Sequence, residues 1–359
     1  MRIDLRLDKA RRSSLAVGAG FVALDVIRGH KGDKLAAGGT CGNVMAILAW
    51  LGWHSVPIAR LGEDTPARIV RADLESAGVD ASSVTANAST PTPIVIQWTV
   101  VNHAGKHSHR FTTSCPACGQ WLPRFRSFTR VEATQAIQKI NSSPTVFFFD
   151  RVCSGINALA RWARDVGAIV MFEPSGHNND MHFREAIELC HILKFSHERL
   201  RHVRGFADNP HPSIVIQTLG AEGLRIRWRG KWTHFNSLAA PRFVDSAGAG
   251  DWCSAGLLHV VGQDGAKGLK ALRKPKIENA IRIGQALSAI NCGFEGARGA
   301  MSVLTRHSAA KILQKLEGGE GTLPSPVNVS TNSNNNALIY HVCRSSKQPE
   351  KSDRLGRTG

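Results

Sequence analysis

Two carboxylates bracket a run of small residues at Asp245-Ser246-Ala247-Gly248-Ala249-Gly250-Asp251, and an apolar stretch, 252–261, follows at once. Read locally, this is a strand end, then a tight glycine turn, then a helix whose first turn carries Asp251. Gly248 and Gly250 suit a backbone that takes positive φ and lets a ligand approach closely. Free N–H groups at the start of such a helix form a site for an anion such as phosphate. A carboxylate beside bound phosphate suits a general base that takes a proton from a substrate hydroxyl. The alternative is an acid that only caps the helix and complements its dipole. On this run alone the two readings stand level.

Other residues bear on that choice. Gly38-Gly39-Thr40-Cys41-Gly42-Asn43 precedes an apolar helix expected at 44–51, and by itself reads as a glycine-rich turn capping that helix. Asp25 follows a buried strand expected at 15–22, at or just past its end. A carboxylate there is costly unless paired, so it serves either a ligand or a salt bridge with Arg28. Thr218-Leu219-Gly220-Ala221-Glu222-Gly223 is either a phosphate-facing loop after a strand or a hairpin turn. Cys115-Pro116-Ala117-Cys118, with His103, His107 and His109 upstream, is a single CxxC. Zinc needs four ligands, and no second CxxC completes the set; otherwise the thiols are free in a loop. Residues 18–23 imitate a dinucleotide fingerprint but lack the acid about 20 residues further on.

The elements that must position these residues alternate. A strand at 57–61 and a helix at 67–76, closed by Gly78, are followed by a hairpin: 94–101, a turn at 102–105, and a return over 106–113. Short apolar runs at 146–149, 168–172, 191–195 and 213–219 read as buried strands with helices between the earlier ones. That order implies a doubly wound, mostly parallel sheet flanked by helices. A second hairpin is expected over 224–228 and 231–235, and helices continue to about residue 316. From 317 to 359 Gly, Ser, Asn and Pro dominate, and this tail is expected to be disordered. The expected organisation is one domain over 1–316, with a small β-sheet lid from about 26–37 and 92–115.

Composition narrows the partners. In 359 residues, 45 Lys and Arg face 28 Asp and Glu, a net charge of +17 that favours anionic partners. The basic residues are scattered, though 199–204 and 225–231 are locally dense. No helix-turn-helix, zinc-finger or RNA-recognition signature supports nucleic acid as the partner. Eight Cys without a disulfide-framework spacing fit reduced thiols. Arg11-Arg12 before an apolar run faintly imitates a signal peptide, but no small-residue cleavage site follows. No apolar stretch reaches the length of a membrane span. The chain reads as cytoplasmic.

The run 245–251, continued by 254–258, resembles the C-terminal signature D-T-x-G-A-G-D of the ribokinase-like (PfkB-type) carbohydrate kinases, with Ser246 in place of the usual Thr. Gly38, Gly39 and Asn43, followed by Arg60-Leu61-Gly62-Glu63-Asp64, resemble the family's N-terminal signature. The resemblance covers roughly residues 15–305 and implies a ribokinase-like α/β fold with ATP-dependent phosphoryl transfer to a hydroxymethyl group of a sugar, nucleoside or sugar phosphate. It implies Asp251 as general base, with Gly248, Ala249 and Gly250 in the anion loop. Asp25, Gly38, Gly39 and Asn43 would hold the sugar, and the hairpin near Trp98 would close over it. Thr218, Gly220 and Gly223 would face the nucleotide, with Asn291 near its adenine.

For Mg²⁺, the resemblance points to Glu198 or Glu173 as organisers of bound water. Relatives carry N-x-x-E where this chain has Lys194-Phe195-Ser196-His197-Glu198-Arg199 without an Asn, and Glu173-Pro174-Ser175 replaces Asp-Pro-Asn. A monovalent cation (K⁺) is implied near Asp245 and Ala247. Relatives often dimerise through the lid, and the alternation of this hairpin leaves homodimerisation open. No membrane partner is implied. The rival reading is a non-catalytic ribokinase-like ligand- or partner-binding protein whose magnesium motif has changed.

Overall fold

Val146-Phe147-Phe148-Phe149 is buried at every position, so this strand must be covered on both faces. Its side chains alternate between two cores: Val146 and Phe148 join one, Phe147 and Phe149 the other. Phe149 stacks on Phe172 at 4.6 Å, and Phe172 meets Phe183 edge-on at 5.5 Å. Each fully buried phenylalanine contributes about 2–3 kcal/mol, which is why short runs of this kind suffice as strands.

The computed structural model describes residues 7–11, 14–29, 32–101, 107–116, 118–176, 181–200, 205, 208–316 and 322–324. The strands are β1 (Leu15–Ala19), β2 (Ala23–Gly29), β3 (Gly32–Gly38), β4 (His54–Gly62), β5 (Val84–Asn87), β6 (Ile94–Val101), β7 (His107–Thr112), β8 (Val146–Phe149), β9 (Ile169–Phe172), β10 (Ile192–Ser196), β11 (Ile214–Thr218), β12 (Leu224–Trp228) and β13 (Lys231–Phe235). The helices are α1 (Thr40–Trp50), α2 (Thr65–Ser76), α3 (Arg130–Gln138), α4 (Ser154–Asp165), α5 (Met181–Leu189), α6 (His197–Leu200), α7 (Ala249–Val261), α8 (Gly265–Lys270), α9 (Lys274–Asn291) and α10 (Arg306–Leu316).

Nine strands form one sheet in the order β13-β12-β11-β10-β9-β8-β1-β4-β5. Pairing is parallel from β11 through β5 and antiparallel in the β11–β12 and β12–β13 pairs at the far edge. Helices α1, α7, α9 and α10 cover one face, and α3, α4 and α5 the other. A second sheet of four strands has the order β3-β2-β6-β7. This is the expected ribokinase-like α/β architecture, with its large, mostly parallel sheet and a smaller separate one.

The chain leaves β1 toward β4 on one side and returns to β8 on the other. Ligands bind open α/β sheets in the crevice at such a reversal, outside the carboxyl ends of the strands. Asp150 follows β8 and Glu173 follows β9 at these ends. Helix α7 is pinned over them by its crossing with α9. A Cβ on Gly256 would stand 2.8 Å from Gly284 Cα, and one on Gly284 would stand 2.6 Å from Cys253 O. Only hydrogen at both positions allows so close a crossing.

Three local expectations are corrected. The strand expected over 15–22 ends at Ala19, and Gly20 (φ 149) turns the chain into β2 of the smaller sheet. Asp25 therefore sits inside β2, paired with Ala36 and Val95, not at the end of a main-sheet strand. Because β2 follows instead of a helix, the dinucleotide fingerprint has no structural counterpart. Residues 236–248 form an irregular connection, so Asp245 follows no strand. The expected hairpin turn at 102–105, His103, residues 201–204, and 317–321 and 325–359 of the tail lie outside the described residues. No helix among the described residues is long and apolar enough to cross a membrane.

Candidate active site

Gly248 is the residue before α7 and adopts the left-handed conformation (φ 71). A Cβ there would meet Ala297 O at 2.2 Å, so both conformation and space require glycine. Gly250 departs from the sequence expectation: its φ is not positive, and a Cβ would find ordinary contacts of 3.5 Å to Lys194 Nζ and 3.6 Å to Glu173 Oε1. The turn leaves the first N–H groups of α7 without a side-chain cap. Asp251 is thus not the cap of its own helix. Its Oδ2 instead accepts from Asn43 Nδ2 at 2.8 Å, across 208 residues of sequence. Burial, then the nearby Glu173, pushes the Asp251 carboxyl up to about 7, against the Asn43 hydrogen bond, Lys194 and Arg199.

Asn43 lies in the first turns of α1 and is 4% exposed. Its Oδ1 is buried with no hydrogen-bond partner. An orphaned acceptor of this kind costs roughly 1–3 kcal/mol unless a ligand donates to it. The preceding glycine pair is explained by close approach. A Cβ on Gly38 would fall 2.0 Å from the Asp25 carboxyl, and one on Gly39 (φ 82) would fall 2.3 Å from Phe21 O. Asp25 itself makes no ion pair with Arg28, which turns to Asp33 at 3.7 Å. Burial raises the Asp25 carboxyl to about 7; Arg298 opposes the shift and Asp73 adds to it. Arg298 is already engaged, pairing with Asp73 and donating to Ala37 O at 2.5 Å.

Glu173 has both oxygens occupied. Lys194 Nζ pairs with Oε1, and Ser254 Oγ lies 2.5 Å from Oε2. Asp245 is similarly spent: Ala247 N donates to Oδ1 at 2.6 Å and Gly296 N to Oδ2 at 2.7 Å. Ala247 O accepts from Asn291 at 3.0 Å. Of the three acids expected at metals, Glu198 alone is solvent-exposed, on α6 just past β10. Among the described residues no group of three or more His, Cys, Asp or Glu is arranged to hold a metal ion. Cys115 is buried, and Cys118 is exposed on the same loop.

Asn291 is fully buried. Besides Ala247 O, its amide lies 3.4 Å from Gly296 O, and its Oδ1 accepts from Ala300 N at 3.1 Å. It braces the turn at 296–300 against the loop before α7. Thr218 ends β11, and Gly220 (φ 61) and Gly223 (φ 101) bound a single turn after it. That turn joins β11 to the antiparallel β12, as the hairpin reading expects.

Two buried charged residues beside these acids carry no expected role from the sequence: Lys194, there only part of the altered magnesium segment, and Asp150. Asp150 accepts from Phe21 N at 2.8 Å and pairs with Arg151 at 2.8 Å. Burial pushes its carboxyl up to about 6; Arg151 and the Phe21 N–H oppose this, and Glu173 adds to it. The signal for Lys194 was present: a lysine in the middle of an otherwise apolar, fully buried run, Ile192-Leu193-Lys194-Phe195.

Comparison with known proteins bears on this arrangement. The family described as pfkB family carbohydrate kinase matches residues 24–303. An ATP-dependent ribose-1-phosphate kinase of Halopiger xanaduensis is 26% identical over 284 residues, covering 75% of this chain and 85% of that protein. A fructokinase of Escherichia coli is 26% identical over 317 residues, covering 79% and 94%. The crystal structure of a fructokinase from Xylella fastidiosa with bound ATP superposes with a TM-score of 0.63 at 17% identity, covering 85% and 99%.

Proposed function

The chain belongs to the pfkB family of carbohydrate kinases, and we propose that it transfers the γ-phosphoryl group of ATP to a hydroxymethyl group of an uncharged sugar or nucleoside, with Asp251 as general base. The observation that carries this reading is the Asn43–Asp251 hydrogen bond. It takes the acid away from its own helix and aims it, buried, beside the uncapped N–H groups of α7. A carboxyl with a pKa near 7 matches a base working near neutral pH. The N–H groups of Gly250 and Asp251 face the charge that develops on the transferring group, with Gly248 and Ala249 shaping the turn. Asp25 and the free Oδ1 of Asn43 accept from acceptor hydroxyls, and Gly38 and Gly39 let the ring lie against the backbone.

An uncharged acceptor is supported by three cations of the described residues being already paired, while a fourth, Arg199 on α6, acts on Asp251. Arg298, Arg151 and Lys194 pair with Asp73, Asp150 and Glu173 respectively. Asp25 and Asp251 remain, both with carboxyls raised to about 7. A second anion beside them would push both higher still and oppose ionisation of the base. Thr218, Gly220 and Gly223 are read as the nucleotide-facing turn, and Asn291 as the brace of the anion loop.

Magnesium fits here through Glu198, whose open carboxylate would orient metal-bound water, and the ion would neutralise charge on the phosphates. The oxygens of Asp245 and Ala247 already accept protein hydrogen bonds. ADP release from a panel of sugars, nucleosides and their phosphates tests the acceptor. Neutral acceptors should turn over with the higher kcat/KM, and preference for a phosphorylated one would contradict the reading. Asp25→Asn should raise the KM of the best acceptor about 10- to 100-fold, the worth of a charged hydrogen bond. Its kcat should change much less, and equal loss in both terms would place Asp25 elsewhere in the mechanism.

A further inference from the structure

Lys194 is 2% exposed, and it lies mid-strand on the face of the sheet that Ile192 shares with α1 and α7. A buried lysine is costly, and exchanging a buried ion pair for apolar residues is often neutral or stabilising. Stability alone therefore does not account for a Lys194–Glu173 pair in this core. Burial opposes the ammonium charge, but Glu173, with Cys253 and Asp251, more than offsets it, and the Lys194 pKa is held above the ordinary lysine value.

The pair makes two further contacts, and both reach α7. Lys194 Nζ donates to Gly250 O at 3.1 Å. Ser254 Oγ, one helical turn on, lies 2.5 Å from Glu173 Oε2 and 3.1 Å from Gly250 O. β9, β10 and the first turn of α7 are thereby tied at a single carbonyl. A peptide unit is planar and trans, so the Gly250 C=O and the Asp251 N–H point in opposite directions. Gripping the carbonyl from inside the sheet fixes the N–H on the open side. A charged donor on the carbonyl also polarises the peptide, which strengthens that N–H as a donor.

We infer that Lys194 is a positioning residue for phosphoryl transfer: through Gly250 O it sets the direction of the Asp251 N–H and the base of the Asp251 side chain. The inference rests on the reading of the α7 turn as the transfer centre. Glu173, the expected magnesium organiser, becomes the counter-ion that keeps Lys194 charged and in place.

The test is Lys194→Met combined with Glu173→Gln, which leaves no unpaired charge, read beside the fully apolar Lys194→Met/Glu173→Leu in case the first does not fold. A folded double variant, judged by its Tm, should lose at least tenfold in kcat while the sugar KM stays within threefold. Its Kd for MgADP by calorimetry should rise at least threefold. Lys194→Arg, which still offers a charged donor, should recover part of the lost kcat. A folded double variant with kcat and MgADP affinity within twofold of wild type would overturn the inference, as would an Arg variant no better than the double variant. If the wild type turns over no acceptor, the kinase reading of this site fails by itself. The MgADP affinity still decides then: a threefold or greater rise in Kd supports the role of Lys194, and an unchanged Kd removes it.

Discussion

Asp251→Asn is expected to lower kcat by about a thousandfold while MgADP still binds, because general-base assistance is worth roughly 10²–10⁴ in rate and the substitution is nearly isosteric. Asparagine keeps an acceptor for Asn43 but cannot take a proton. The wild-type pH profile should show the same group. Its carboxyl titrates at about 7, raised by burial and by Glu173. The base acts only when ionised, so kcat/KM should climb as pH rises through 7 and level off above it. The asparagine variant should lose that limb.

Stability should move the opposite way. A carboxyl whose folded pKa exceeds its unfolded value favours folding when protonated, and this contribution is lost as pH rises from about 4 to about 7. At pH 8 the ionised Asp251 therefore costs stability that a neutral asparagine side chain would not. The inactive variant should be about 2–4 kcal/mol more stable at pH 8 and lose this advantage toward pH 4. Denaturant titration at both pH values measures it. A variant that is less stable at pH 8 would show that Asp251 is held ionised by partners and is no poised base.

Gly248→Ala is expected to destabilise the protein by about 3 kcal/mol or more and to weaken MgADP binding by over tenfold, whereas Gly250→Ala should cost under about 1 kcal/mol. Both glycines belong to one motif, but they are glycine for different reasons. An L-residue at φ 71 is strained, and its Cβ would lie 2.2 Å from Ala297 O. Ala297 cannot retreat easily. Its segment is held by Gly296 N on Asp245, Ala300 N on Asn291 and the Trp252 indole on Ala297 O at 3.0 Å. At Gly250 a methyl group meets only ordinary contact distances. Chemical denaturation and calorimetry of the two variants give the comparison; equal costs would remove the backbone argument.

Much of the main sheet was legible in the sequence. The strands Val146–Phe149, Leu224–Trp228 and Lys231–Phe235 stand at the bounds their patterns implied. They are short apolar or alternating runs between turn residues, and burial on known faces leaves them little freedom. The apolar pattern overruns the first strand because Phe21-Val22 continues it past Gly20. Apolar character marks burial but not which sheet receives the residue. Asp25 lies beyond that strand for this reason: the pattern is continuous where the chain passes from one sheet to the other.

The local chemistry of the α7 turn is written in a short stretch of chain. Conformation at Gly248, the start of a helix and an acid in its first turn all follow from residues within a span of seven. The sequence also marked the Gly38–Asn43 segment, whose Asn43 reaches Asp251 in the fold. Which acids are available depends on packing between distant segments. Glu173 and Asp245 looked as free as Asp251, yet one is taken by Lys194 and Ser254 and the other by two backbone amides. Hydrogen bonds and ion pairs act within about 3–4 Å, and strand order and helix docking set which distant residues come that close. The partner that turns Asp251 from a helix cap into a candidate base, Asn43, stands 208 residues away and arrives only when α1 and α7 pack on the same face of the sheet.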